Sequence, residues 1–172
     1  MSYRIELAQA EYIPVLPLIE QAAAGVFPEE DLSLEQRSKT TPVEVFEKAW
    51  KEKRLWTLVD EDTAQPVGFA LLEEFQGQLH LKEIDVHPDY SRKGLGTQLL
   101  NTVISWARGE GYEAMTLTTF RHLLWNAPFY KRFGFVSLDP TELRPDMEKL
   151  FKKEATGSDI AKRVMMQLDL QV

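Results

Sequence analysis

Residues 84–100 read Ile-Asp-Val-His-Pro-Asp-Tyr-Ser-Arg-Lys-Gly-Leu-Gly-Thr-Gln-Leu-Leu, an alternating apolar strand that passes through a basic, glycine-bearing turn straight into an amphipathic helix. Gly94 and Gly96 carry no Cβ, so the backbone can approach a ligand closely at both. The first amides of the helix, from Leu95, Gly96 and Thr97, lack an intrahelical acceptor and point ahead of it. Those donors and the positive end of the helix dipole favour a phosphate or pyrophosphate, with Arg92 and Lys93 adding formal charge. A glycine pair between strand and helix is also a common tight connection, so the turn alone leaves both uses open.

The flanking sequence sets this turn in a mixed chain. Tyr3, Ile5 and Leu7 alternate as a first strand, and Tyr12, Val15, Leu16, Ile19 and Ala23 form a helical stripe that Gly25 stops. Residues 26–40 lack periodicity and are expected to form a long loop over an acceptor site. Thr41-Pro42 opens a helix to about Glu52 with Val45, Phe46, Ala49 and Trp50 inward. Three apolar runs, 55–60, 67–74 and 79–86, then make an antiparallel meander. After the turn, Leu95, Leu99, Val103 and Trp106 or Ala107 keep core spacing until Gly109. Residues 112–119 read as a strand, so strand, helix and strand form a right-handed parallel crossover with a cleft at the strand ends. A short helix around Tyr130, a helix over 143–153 and a strand over 163–170 complete one domain spanning 1–172. That last strand is expected at a sheet edge, where a homodimer could form.

A second segment, residues 125–135, reads Trp-Asn-Ala-Pro-Phe-Tyr-Lys-Arg-Phe-Gly-Phe. A Val-His-Pro-x-Tyr-x-Arg-Lys-Gly-Leu-Gly turn followed by Phe-Tyr-x-x-x-Gly-Phe resembles the GNAT superfamily of N-acetyltransferases, which bind acetyl-coenzyme A on such a turn. The family's turn usually opens with glutamine or arginine, whereas Ser91 stands there and the arginine falls at Arg92. Asn126 lies nearer to Tyr130 than the family's asparagine lies to its tyrosine. The resemblance implies an α/β (α+β) fold with a mixed, mostly antiparallel central sheet of six to seven strands flanked by helices. In it the parallel crossover forms the cofactor cleft. It also implies acetyl-coenzyme A as acyl donor, its diphosphate held by Ser91, Arg92, Lys93, Gly94, Leu95, Gly96 and Thr97, and its thioester oxygen facing a backbone amide near Val86.

Under that resemblance the chain is an N-acetyltransferase, and the amine of a small molecule or peptide attacks directly in a ternary complex. Tyr130 matches the tyrosine that protonates the leaving thiolate, a role suited to a phenol of pKa about 10. Alternatively Tyr130, set between Phe129 and Phe133, is a core aromatic. Glu83 alternates with Leu81 and Asp85 on one strand face, while Ile84 and Val86 face the other way. An alkylammonium of pKa about 10.4 must lose a proton before it attacks, and Glu83 or Asp85 could take it or simply bind the ammonium. Asn126 either hydrogen-bonds the pantetheine amides or caps the helix that starts at Ala127-Pro128.

Composition narrows the alternatives. With no cysteine there is no disulfide framework, thiolate metal site or cysteine nucleophile. His80, His87 and His122 lack metal-ligand spacing, so no metal is expected. A formal net charge of −7 repels polyanions, which disfavours nucleic acid or an anionic membrane as partner. No apolar run is long enough to span a bilayer, and Met-Ser-Tyr-Arg-Ile-Glu lacks the core of a secretory signal, so a cytoplasmic protein is expected. Glu29, Glu30, Asp31, Glu73 and Glu74 would suit a cationic acceptor or form a solvated face. The basic pairs Arg92-Lys93 and Lys131-Arg132 could meet beside one anionic cofactor. The turn ends in Gly-Thr without the Gly-Lys-[Ser/Thr] of a P-loop, which excludes a nucleotide triphosphatase of that type. The other class compatible with these residues is a non-catalytic acyl-coenzyme A sensor or regulatory interaction module.

Overall fold

Seven strands carry the fold in the computed structural model, which describes residues 1–171. They are β1 (Tyr3–Leu7), β2 (Leu55–Asp60), β3 (Gln65–Phe75), β4 (Gln78–Val86), β5 (Ala114–Phe120), β6 (Val136–Ser137) and β7 (Arg163–Asp169). The sheet order is β1-β2-β3-β4-β5-β7-β6, and β4 with β5 is its parallel pair, the rest pairing antiparallel. The helices are α1 (Leu16–Ala24), α2 (Leu34–Ser38), α3 (Val43–Lys51), α4 (Leu95–Gly109), α5 (Ala127–Lys131) and α6 (Pro145–Glu154).

β3 reads as a continuous apolar run because both of its faces are covered. Ala70 and Leu72 meet Leu99, Leu100 and Val103 of α4, whereas Phe69 and Leu71 meet Leu16 and Ile19 of α1 and Phe46 of α3. Each of these side chains except that of Ala70 contributes about 1.5–3 kcal/mol by leaving water. The two layers clamp the middle of the sheet and leave the far ends of β4 and β5 free to diverge.

Several expectations need correction. The segment 26–40 is not wholly loop: Ser33 accepts a hydrogen bond from the Gln36 amide at 3.2 Å and caps α2. Trp50 is 38% exposed, because α3 turns only Phe46 and Ala49 fully inward. β7 is not an edge strand, since it lies between β5 and β6, so pairing of two copies through its whole length is blocked.

The most consequential departure is a bulge in β4. Leu71 lies opposite Glu83 but Leu72 lies opposite Leu81, so Lys82 is an extra residue on the β4 side. The inserted residue inverts the pleat. Leu81 and Ile84 therefore both pack into the core on the α4 side, and Leu81 does not share a face with Glu83 as simple alternation requires.

Candidate active site

The parallel ladder between β4 and β5 pairs Leu79 with Met115 and His80 with Thr116 and then stops, although β4 continues to Val86 and β5 to Phe120. The strands part there. Main-chain groups of residues 81–86 and 117–120 thus flank a gap rather than each other. A cavity of about 420 Å³ occupies it and is lined by Glu20, Glu83, Asp85, Asn126, Tyr130 and Arg163, among others.

Glu83 and Asp85 follow the bulge, point to the α1 side and meet Glu20, so that one carboxylate oxygen from each of the three lies within 4.8 Å of the others. Glu20 is held by Thr41, whose amide and hydroxyl donate to it at 2.6 and 2.8 Å. Burial raises the pKa of Glu20 against those two hydrogen bonds. Burial, followed by the charges of Asp85 and Glu20, pushes Glu83 well above the ordinary carboxylate range. Asp85 is pushed up to about 7, again chiefly by burial, and its Oδ2 is buried without a hydrogen-bond partner. Like charges this close cannot all ionise, so the group retains a proton near neutrality.

Tyr130 enters the cavity from α5, on the α4 side of the sheet, where it packs against Phe129 and Phe135. Tyr130 is thus a core aromatic that also lines the gap. Burial, then the charges of Glu83 and Asp85, push the phenol up against the downward pull of Arg163, so it stays protonated. Asn126 precedes α5 but makes no capping hydrogen bond; its Oδ1 is buried and unpartnered, and it lines the cavity. Its side chain therefore does not act as the helix cap, and the acceptor is left without a partner.

In the turn, Arg92 and Gly94 adopt left-handed φ values of 62° and 71°. Gln98 is the first residue of α4 to donate back, to Gly94 at 3.1 Å, which leaves the amides of Leu95, Gly96 and Thr97 directed outward. A Cβ built at Gly94 or Gly96 meets nothing within 4 Å, so the space before the turn is open. Val86 and Leu95 pack together beneath it with Leu58 and Val67. Lys93 lies back over the rings of Tyr3 and Tyr90, at 6.0 and 5.7 Å. A groove of about 400 Å³ between α4 and α5 is lined by Thr97, Asn101, Arg108 and Arg132, which brings one residue of the second basic pair alongside the helix that follows the turn.

Three of the acids singled out elsewhere, Asp31, Glu73 and Glu74, are paired within the protein. Asp31 is buried, and its two oxygens lie 2.9 Å from His122 Nε2 and 2.9 Å from Lys162 Nζ, which pins the segment before α2 to the far side of the cleft. Glu73 pairs with Lys82 and Glu74 with Arg54. Sequence reasoning missed Glu20 and Arg163. The only local signal for Glu20 was an acid bordering the apolar stripe of its helix.

Residues 20–135 match the acetyltransferase (GNAT) family, and the chain belongs to it. An uncharacterized N-acetyltransferase of Methanocaldococcus jannaschii is 28% identical over 112 residues, which cover 52% of this chain and 50% of that one. The chain thus spans about half the length of that curated relative. The fold resembles coenzyme A-bound N-acetylglutamate synthase of Neisseria gonorrhoeae, with a TM-score of 0.73 at 17% identity over 99% of this chain and 35% of the other. It also resembles the ribosomal-protein-S18-alanine N-acetyltransferase of Escherichia coli, with a TM-score of 0.69 at 21% identity, covering 98% and 94%. PaiA N-acetyltransferase of Thermoplasma acidophilum, in complex with coenzyme A, gives 0.68 at 18% identity, covering 98% and 99%. Among the described residues no helix is long and apolar enough to cross a membrane.

Proposed function

We propose that the protein transfers an acetyl group from acetyl-coenzyme A to a primary amine, by direct attack while both substrates are bound. The observation that carries this reading is the parting of β4 and β5 after His80 and Thr116, with Tyr130, Asn126, Glu83 and Asp85 lining one gap. Family membership supplies the acyl donor and the reaction class.

The outward amides of Leu95, Gly96 and Thr97, with Arg92, receive the diphosphate, as the open space before Gly94 and Gly96 allows. Ser91 and Lys93 complete the turn. Asn126 Oδ1 accepts a hydrogen bond from a pantetheine amide. A main-chain amide near Val86 stabilises the charge that develops on the thioester oxygen. Glu83 and Asp85, once one of them is ionised, draw the ammonium proton away. The amine nitrogen then forms the C–N bond as the C–S bond breaks. Tyr130, kept protonated by its surroundings, gives its proton to the departing sulfur, and the proton that the acylated nitrogen sheds restores the phenol.

Thiol release from acetyl-coenzyme A, measured across polyamines, amino acids, aminoglycosides and peptides, tests the reading. At least one amine is expected to raise release well above the amine-free blank. No response from any class, together with no binding of coenzyme A by titration calorimetry, would refute it.

A further inference from the structure

Arg163 brings a positive charge into the cleft that the protein itself leaves without a counter-ion. It stands opposite Phe120 in the β5–β7 register, and its guanidinium carbon lies 4.4 Å from the centroid of that ring. The guanidinium thus rests over the ring, and Nε is buried with no hydrogen-bond partner. The charges of Glu154 and Glu83 are both felt at Arg163, but Glu154 directs its two oxygens to His80 Nε2, at 2.8 and 3.0 Å, and Glu83 groups with Glu20 and Asp85. Among the described residues no carboxylate comes within ion-pairing distance of Arg163. Arg163 as a whole is half-buried, and a guanidinium whose Nε lies out of water with no partner is costly unless an anion completes it.

The same cavity presents two further cations, Lys39 and Lys153, together with the carboxylates of Glu20, Glu83 and Asp85. None of the turn residues 91–97 lines it, so the diphosphate of the donor is not the anion that Arg163 faces. What fits is a ligand carrying both charges. A fixed guanidinium fork matches the two oxygens of a carboxylate, and an acidic cluster matches an ammonium.

Resting on the acetyl-transfer reading for the position of the amine, we infer that Arg163 binds the carboxylate of the acceptor, and that the acceptor is a free amino acid or similar zwitterionic amino carboxylate. Plain alkylamines and amides lack the group that completes Arg163. They should be poorer acceptors.

The test uses the full chain saturated with coenzyme A or acetyl-coenzyme A and a panel of α-, β- and γ-amino acids, each beside its own primary amide. Two readouts are taken, thiol release and thermal stabilisation. At least one amino acid is expected to exceed its amide by about tenfold or more in kcat/KM and to stabilise the protein further. Arg163→Gln should collapse that ratio through KM for the acid, and Arg163→Lys, which keeps the charge but not the fork, should retain part of it. The lysine variant decides the matter if the glutamine variant fails to fold. A ratio near one, or a ratio that survives both substitutions, overturns the inference. Carboxylate-dependent stabilisation without thiol release upholds Arg163 and removes the transfer reading. Thiol release without carboxylate preference does the reverse, and neither signal overturns both.

Discussion

His80 on β4 and Glu154 at the end of α6 lie 74 residues apart in sequence, yet their side chains meet at 2.8 Å in the interior. His80 Nδ1 lies 2.8 Å from the Thr116 hydroxyl on β5, so one imidazole joins both parallel strands to α6 where the strands begin to part. Burial pushes Glu154 up, but the hydrogen bond and charge of His80, with Thr118 and Lys82, outweigh it and hold the carboxyl below its ordinary value. His80→Ala takes one partner from the half-buried Glu154 carboxylate and one from the Thr116 hydroxyl, and is expected to destabilise the protein by about 1–3 kcal/mol in urea unfolding. A loss under about 1 kcal/mol would mean that this link does not hold the apex of the cleft.

Tyr130→Phe removes a proton donor while preserving the packing against Phe129 and Phe135. Turnover on a responsive amine should fall by about 10²-fold, with the affinity for coenzyme A nearly unchanged. Steady-state kinetics beside titration calorimetry separate the two quantities, and an unaltered kcat would take the phenol out of the acid role.

The raised pKa of Asp85 makes stability and activity depend on pH in opposite directions. A carboxyl whose folded value lies above its unfolded one favours the folded state below the unfolded pKa of 3.8, and that advantage is lost as pH rises through about 7. Asp85→Asn should therefore be more stable than the parent at pH 8, by roughly 2–4 kcal/mol, with the difference vanishing near pH 4. Activity in the parent should rise as the Glu83–Asp85 pair gives up its proton. In the variant Glu83 loses a like-charged neighbour, so the rising limb of kcat/KM moves to lower pH. A limb that stays in place would show that this pair does not take the amine's proton.

Gly96 separates folding from ligand contact. Its Cβ position is open and its backbone is helical, so Gly96→Ala should stabilise the ligand-free protein by about 0.5 kcal/mol. The added methyl stands where the diphosphate approaches, and coenzyme A affinity should drop about tenfold or more. Gly94→Ala differs, because φ there is 71° and an L-residue is strained by about 1–2 kcal/mol. Calorimetry with and without coenzyme A distinguishes the two outcomes, and tighter binding by Gly96→Ala would displace the diphosphate from this turn.

Much of the site was legible in local pattern. The strand, turn and helix of residues 84–100 are specified by alternation, two glycines and a helical stripe, all within reach of their own neighbours in the chain. Tyr130 was legible by another route, its place in the Phe-Tyr-x-x-x-Gly-Phe segment that resembles the GNAT superfamily, whereas local pattern gave only a short aromatic helix ending before Gly134. Tertiary structure alone decided which face Glu83 presents, because the register of β4 against β3 places one extra residue at Lys82 and reverses the pleat beyond it. It alone also brought Glu20, from a helix more than sixty residues upstream, to those carboxylates, and set Arg163 over Phe120 with no counter-ion. Periodicity reports the environment a residue needs relative to its neighbours. It does not encode how far one strand slides past another, and that displacement settles which distant charges meet in the cleft.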